Sequence, residues 1–336
     1  MNNKSPIKKL LAVKGMGAAL TAFVGLIIIY VAFGLINPAV FSSNNILNLL
    51  RSMSKYLLIG IAQSYVLITG NIDLSLGSMV AMSAMISATL MTFGVNPFAA
   101  VLVALLCCLV IGVINGILVG KFKLPPFIAT LGTMFVGCGI AYMVNNNRNT
   151  DAIATGVGKE TGDAFQNFFY YGTSAGIYNT FWIAIIMFVI FFFLLSKTRT
   201  GRHIYAIGSN IDAAKLSGVN VVATTTKTYL VSAVCSWVVG LILCAQAGMG
   251  NMEAGNMYEM YGVAAGVIGG VSPLGGTGIL LGTLAGSAVW QTLENGLNMI
   301  GAQVGIQRLV IGIIVVVAVL LDIVLRSGQF TKKKKG

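Results

Sequence analysis

Apolar residues run along this chain in blocks about as long as a bilayer is thick, and the polar residues gather between the blocks. A helix needs about 20 predominantly apolar residues to cross the hydrocarbon core. Runs of that order predict ten helical spans, near residues 16–36, 56–70, 74–93, 97–120, 126–145, 179–196, 228–248, 261–272, 278–294 and 306–326. The expected fold class is all-α, a polytopic transmembrane helical bundle of about ten spans, forming one domain over residues 1–336. The first run, Gly15 to Ile36, exceeds a signal-peptide core of roughly 7–15 residues and lacks a small-x-small exit. It reads as a retained anchor.

Two spans are short and bounded by glycine-rich breaks. These are Gly70-Asn71-Ile72-Asp73-Leu74-Ser75-Leu76-Gly77-Ser78 and Gly269-Gly270-Val271-Ser272-Pro273-Leu274-Gly275-Gly276. Each follows a run opened by a tyrosine, Tyr56 or Tyr261, and in each half a later span closes on Asn-Gly, at Asn115-Gly116 and Asn295-Gly296. The order reads as a faint parallel repeat, and in transporters such repeats place a pathway at their interface. Glycines one turn apart, Gly266 with Gly270 and Gly278 with Gly282 and Gly286, are explained by close helix packing in lipid.

Composition agrees with the pattern: 57% of the 336 residues are hydrophobic and 9% charged, where soluble domains carry about 25% charge. The net charge of +12 does not point to nucleic acid, because the basic residues share no soluble face and alternate with no stacking aromatics. Lys4, Lys8, Lys9 and Lys14 precede the first run and Lys332, Lys333, Lys334 and Lys335 follow the last. By the positive-inside bias both termini are cytoplasmic. The stretch 197–227 falls on the same side, with Lys197, Arg199, Arg202, Lys215 and Lys227 against the single acid Asp212. The stretches holding Asp151, Glu160 and Asp163, and Glu253 and Glu259, are expected outside. Arg51 and Lys55 depart from the rule, and an interfacial helix capped by Ser43 or Asn44, with Ile46, Leu47, Leu49 and Leu50 at helical spacing, would accommodate them.

No catalytic constellation is present. His203 is the only histidine, the cysteines (Cys107, Cys108, Cys138, Cys235, Cys244) lie in apolar runs without zinc-ligand spacing, and no GxxxxGK[ST] phosphate loop occurs. The chain is not expected to be an enzyme or to hold a metal or cofactor. Charge inside a membrane costs about 2.5–3.5 kcal/mol on insertion scales, so each intramembrane acid is a candidate for function. Asp73, Glu294 and Asp322 qualify. Asp73 also suits a cap for the next span, and Asp322 stands four residues before Arg326, the spacing of an ion pair. A translocation pathway would draw its polar groups from Gln63, Asp73, Ser75, Glu294 and Asn298.

The stretch 197–227 is long for a loop. After Asn210 it has helical potential, with Ala213, Ala214 and Leu216 on a short apolar surface, Ser209 or Asn210 as N-cap and Gly218 as stop. A short helix presented to the cytoplasm is a knob for a partner's groove.

Asp212-Ala213-Ala214 followed by Gly218 resembles the EAA-x(3)-G coupling motif of ATP-binding-cassette importer permeases, with Asp212 one methylene shorter than the usual Glu. Thr198-Arg199-Thr200-Gly201-Arg202 and Tyr205-Ala206-Ile207-Gly208-Ser209-Asn210 resemble the same loop of the ribose, galactose and xylose permeases. Asn71-Ile72-Asp73-Leu74-Ser75-Leu76-Gly77-Ser78, Pro126-Phe127-Ile128-Ala129-Thr130-Leu131-Gly132 and the second glycine break extend the resemblance from Pro38 to Asp322.

The resemblance implies a fold like that of the cobalamin permease and a prokaryotic plasma-membrane location. It implies a core of two permease chains, two cytoplasmic ATPases carrying ATP-Mg, and an external sugar-binding protein. Arg199, Gly201, Arg202, Asp212, Ala213, Ala214 and Gly218 would be the ATPase-coupling positions, and ribose the first cargo to test, with another pentose or hexose, a nucleoside or a sugar-derived signal as the alternatives within the family. The rival class is an ion-coupled symporter using Asp73 or Glu294; a passive channel gives no reason for the loop.

Overall fold

The computed structural model describes residues 16–327. The two terminal lysine clusters, and the Asp322 and Arg326 side chains expected to pair, lie outside the described residues. In chain order the helices are α1 (Met16–Ile36), α2 (Ser43–Ile68), α3 (Leu76–Thr92), α4 (Pro97–Gly120), α5 (Pro126–Met143), α6 (Ala154–Val157), α7 (Lys159–Gln166), α8 (Asn179–Lys197), α9 (Arg199–Ser209), α10 (Ile211–Leu216), α11 (Val221–Ala247), α12 (Tyr258–Ile268), α13 (Leu280–Met299) and α14 (Val304–Ser327). A two-residue β-hairpin, Thr173–Ser174 with Ile177–Tyr178, precedes α8. The fold is an all-α membrane bundle, and each of the ten expected spans corresponds to a helix.

Lipid demands apolarity only of the helices that touch it. Accordingly α1, α4, α5, α8 and α11 are long and apolar enough to cross a membrane, and α1, α4, α5 and α8 turn large apolar side chains such as Ile27, Leu106, Phe135 and Phe193 outward. The centre consists of α2, α3, α11, α12 and α13, packed on one another. Almost every residue of α3 is buried, which is why it tolerates Ser78, Ser83, Ser87 and Thr89. Where α13 crosses α12, a Cβ on Gly282 would stand 1.9 Å from the Gly269 carbonyl oxygen, so only glycine permits that crossing.

Three expectations are corrected. The segment from Ser43 is no separate interfacial helix: it is the first part of α2, and Ser42, not Ser43 or Asn44, caps it by accepting the Asn45 N–H (3.3 Å). Arg51 lies over the rings of Tyr170 and Tyr178 at 4.5 and 4.1 Å, and Lys55 donates to Gln246 (3.2 Å). Both cations therefore have protein groups as partners.

Secondly, 197–227 is not a loop carrying one short helix. It holds α9 and α10, and α11 begins at Val221, well before the expected 228. Thirdly, the stretch holding Glu253 and Glu259, expected as an outside loop, is not a free loop. It folds back along α3, with Gly250 beside Ala88 and Gly255 beside Gly77 and Val80, and Met257 takes a left-handed conformation (φ 65°) to start the short α12.

Candidate functional site

Three features carry the candidate chemistry: a helical hairpin at the basic end, a buried polar knot, and a cavity beside α13. The hairpin begins at Thr198, whose hydroxyl accepts the Gly201 N–H (3.3 Å) to cap α9. A Cβ on Gly201 would meet the Leu195 carbonyl oxygen at 1.8 Å, so glycine lets α9 fold back tightly on the end of α8. Ile204 and Ile207 anchor α9 in the bundle, while Arg199 and Arg202 stay exposed.

Asn210 is the cap of α10, accepting the Ala213 N–H at 2.9 Å. The helix ends in a Schellman pair: Gly218 N–H donates to Lys215 O (2.9 Å) and Val219 N–H to Ala214 O (3.0 Å), with Gly218 at φ +81°. Ala214 packs with Ile207 and Val221. Leu216 does not share that face; it is 90% exposed. Asp212 and Lys215 form a surface pair at 3.4 Å, worth about 0–1 kcal/mol. What α10 presents outward is thus an unburied leucine beside a charged rim.

Behind the hairpin the two glycine breaks meet. Gly276 N–H donates to the Ile68 carbonyl at the end of α2 (2.8 Å), and the Tyr205 hydroxyl of α9 donates to Gly278 O (2.7 Å). Burial pushes the Tyr205 phenol up to about 12, so it remains a donor at neutral pH. A Cβ on Gly208 would stand 1.8 Å from Ile68 O and 2.5 Å from Gly276 N. The end of α9 therefore rests directly on both breaks.

Asp73 is fully buried. Its Oδ1 accepts from the Ser75 N–H (2.9 Å) and hydroxyl (2.6 Å), and its Oδ2 from Ser232 of α11 (2.6 Å). Asn115 donates to the Ser75 oxygen (2.9 Å), and Thr133 to Asn115 Oδ1 (2.7 Å). The chain of bonds ties the first break to α4, α5 and α11. Gln63 is also fully buried, with neither amide atom hydrogen-bonded among the described residues. A buried unpaired polar group costs roughly 1–3 kcal/mol, and an apolar side chain of similar shape removes that cost. Gln63→Met is therefore expected to raise the unfolding midpoint of the purified protein. A lowered midpoint in thermal unfolding would show that the amide has a stabilising partner.

Glu294 and Asn298 line a cavity of about 560 Å³ between α12, α13 and α14, together with Tyr261, Trp290, Gln307 and Arg308. Glu294 Oε2 accepts the Tyr56 hydroxyl (2.7 Å), and Asn298 Oδ1 accepts from Gln307 (2.8 Å). Of the five pathway candidates, these two face open space. Gln63, Asp73 and Ser75 lie within the packed bundle.

The fold and these features define a multi-pass helical membrane protein with a paired-helix hairpin at one end and a mainly apolar cavity that carries a few polar side chains. The chain belongs to the family described as branched-chain amino acid transport system / permease component, whose model matches residues 45–319. It is 37% identical over 308 residues to the ribose import permease protein RbsC of Bacillus subtilis, covering 92% of this chain and 94% of that one. It is 34% identical to the D-allose transport system permease protein AlsC of Escherichia coli (88% and 89% covered) and 32% identical to the galactose/methyl galactoside import permease protein MglC of Haemophilus influenzae (89% and 90%). No solved structure matches.

Sequence reasoning did not single out Tyr205, Gly208 or the outward role of Leu216, although all three lie inside segments it examined. It also missed Ser232, Asn115 and Thr133 as partners of Asp73. Polar residues recurring in otherwise apolar spans were the available signal.

Proposed function

We propose that this chain is the membrane-spanning permease subunit of an ATP-driven monosaccharide importer, with ribose as its cargo. The observation that carries the reading is the α9–α10 hairpin, which offers Leu216 to a partner and rests its other end on both glycine breaks. A cytoplasmic ATP-binding-cassette ATPase, holding ATP-Mg, would seat on α10; this chain hydrolyses nothing. On nucleotide binding the two hairpins of a paired permease would approach, pulling the breaks and switching access between the two sides. A second permease copy completes the core, and an extracytoplasmic sugar-binding protein delivers the cargo. Both termini are cytoplasmic in the prokaryotic plasma membrane. Arg199, Gly201, Arg202, Asp212, Ala213, Ala214 and Gly218 shape or rim the docking knob. Glu294 and Asn298 belong to the pathway, whereas the burial of Gln63, Asp73 and Ser75 supports a role in shaping it. The identities of the relatives support the cargo assignment.

The test is uptake of labelled ribose by cells carrying this chain with its neighbouring transport genes. Uptake is expected to survive an uncoupler and to stop when ATP is depleted. Leu216→Asp is expected to lose co-purification with the ATPase and to cut uptake by about tenfold or more, since a buried interface anchor is worth about 2 kcal/mol or more. Full uptake by Leu216→Asp sinks the docking assignment, and loss with the uncoupler at high ATP sinks the ATP-driven reading.

A further inference from the structure

Trp290, Glu294 and Asn298 recur at every fourth residue along α13, so one helix face lays an indole, a carboxylate and an amide in a ladder along the cavity. Tyr261 of α12 closes on the indole, ring centroids 5.1 Å apart, and Tyr56 stands 5.7 Å from Tyr261 and 6.3 Å from Trp290. Set at interplanar angles of 41°, 77° and 55° in that order, the rings form an uneven apolar wall with polar tips. Tyr261 and Trp290 of the wall line one cavity with the ladder, about 560 Å³ in volume, within the roughly 300–1,000 Å³ of small-molecule sites.

The polar groups are partly pre-set. The Tyr56 hydroxyl holds Glu294 Oε2 in place, and Oε1 receives no hydrogen bond among the described residues. Gln307 holds Asn298 by its oxygen, which leaves the amide's N–H groups without an acceptor among the described residues. A carboxylate oxygen and amide donors one helical turn apart match adjacent hydroxyls, each of which both donates and accepts. The ring wall matches the C–H face of a sugar.

We propose that this cavity is a transient monosaccharide site, with the sugar ring on Tyr261 and Trp290 and its hydroxyls on Glu294 and Asn298. The proposal rests on the reading of the chain as a sugar permease and says where on the chain the cargo is held. An amino-acid zwitterion would use Glu294 and Arg308 alone and leave the amides and the ring wall without a role. A site of this kind binds weakly, because few groups converge and the cargo must leave.

The experiment is equilibrium binding of labelled ribose to the purified permease–ATPase complex without the sugar-binding protein, read by scintillation proximity. Saturable binding at millimolar ribose is expected, displaced by unlabelled ribose and not by leucine. Glu294→Gln keeps the shape of the side chain but loses its charge, and is expected to weaken binding by about tenfold, the value of a hydrogen bond to a charged group. Asn298→Ala is expected to weaken it as well. Co-purification with the ATPase and the thermal midpoint report that each variant is folded. Ribose binding by Glu294→Gln equal to wild type, no saturable binding by wild type, or displacement by leucine each overturns the site. If wild-type cells still import ribose under ATP, only the site falls; if they import no monosaccharide at all, the transport reading falls with it.

Discussion

Replacing Gly208 by alanine is expected to cut ATP-driven uptake by about tenfold or more while leaving the chain in the membrane. The added methyl would stand 1.8 Å from the Ile68 carbonyl oxygen and 2.5 Å from the Gly276 nitrogen. Those two atoms hydrogen-bond to each other across the two breaks (2.8 Å). Both belong to the backbone, so no side chain can swing aside. Either α9 lifts off the bundle or the breaks part, and overpacking of this kind costs typically 1–3 kcal/mol, about 30-fold in a transport step at the midpoint of that range.

Gly25→Ala is the control, since a Cβ there has nothing within 4 Å. Tyr205→Phe separates the contact from the clash: it removes only the donor to Gly278 O and is expected to lower transport per ATP hydrolysed without loss of ATPase co-purification. The measurement is labelled-ribose uptake beside ATP hydrolysis and co-purification. Uptake by Gly208→Ala at the wild-type rate would show that α9 does not drive the breaks.

The parts of this fold legible in the sequence were those that lipid constrains. Helices α1, α4, α5 and α8 must be apolar on their outer faces, and hydropathy located them within a few residues. The start of α2 was hidden because Arg51 and Lys55 interrupt the apolar pattern; their contacts with Tyr170, Tyr178 and Gln246 join residues far apart in the chain. Helix α9 was hidden because its buried side is little more than Ile204 and Ile207. The fold-back after α11 was hidden because polar, glycine-rich sequence reads as surface unless the partner groove, here Gly77 and Val80 of α3, is known.

The site divides along the same line. Asp73, Glu294 and Asn298 stood out by residue type alone, and Ser209 or Asn210 with Gly218 by local cap chemistry. Which candidates face a cavity and which are sealed is set by packing between α12, α13 and α14, and no local pattern encodes it. The two glycine breaks were visible as a repeat, yet their contact through Ile68 and Gly276, under Gly208, is a tertiary fact.

Asp73→Ala is expected to destabilise the folded protein by roughly 3–5 kcal/mol. Its carboxylate accepts the Ser75 N–H, the Ser75 hydroxyl and the Ser232 hydroxyl, all inside the bundle. Removing the acceptor leaves those donors buried, at roughly 1–3 kcal/mol for each that cannot re-aim. The Ser75 amide has the least freedom, because it starts α3. Asp73→Asn keeps one oxygen for Ser75 and places an amide against Ser232, whose oxygen can accept, so it is expected to lose far less stability. Thermal unfolding of both variants in detergent checks the order; an Asp73→Ala midpoint equal to wild type would show that the knot does not hold the break. The same pair decides between mechanisms. A carboxylate that only shapes the break is replaceable by its amide, so Asp73→Asn should keep ATP-driven uptake. A symporter whose ion-coupling carboxylate is Asp73 cannot exchange it for an amide, and loss of uptake by a folded Asp73→Asn would move the assignment to that class.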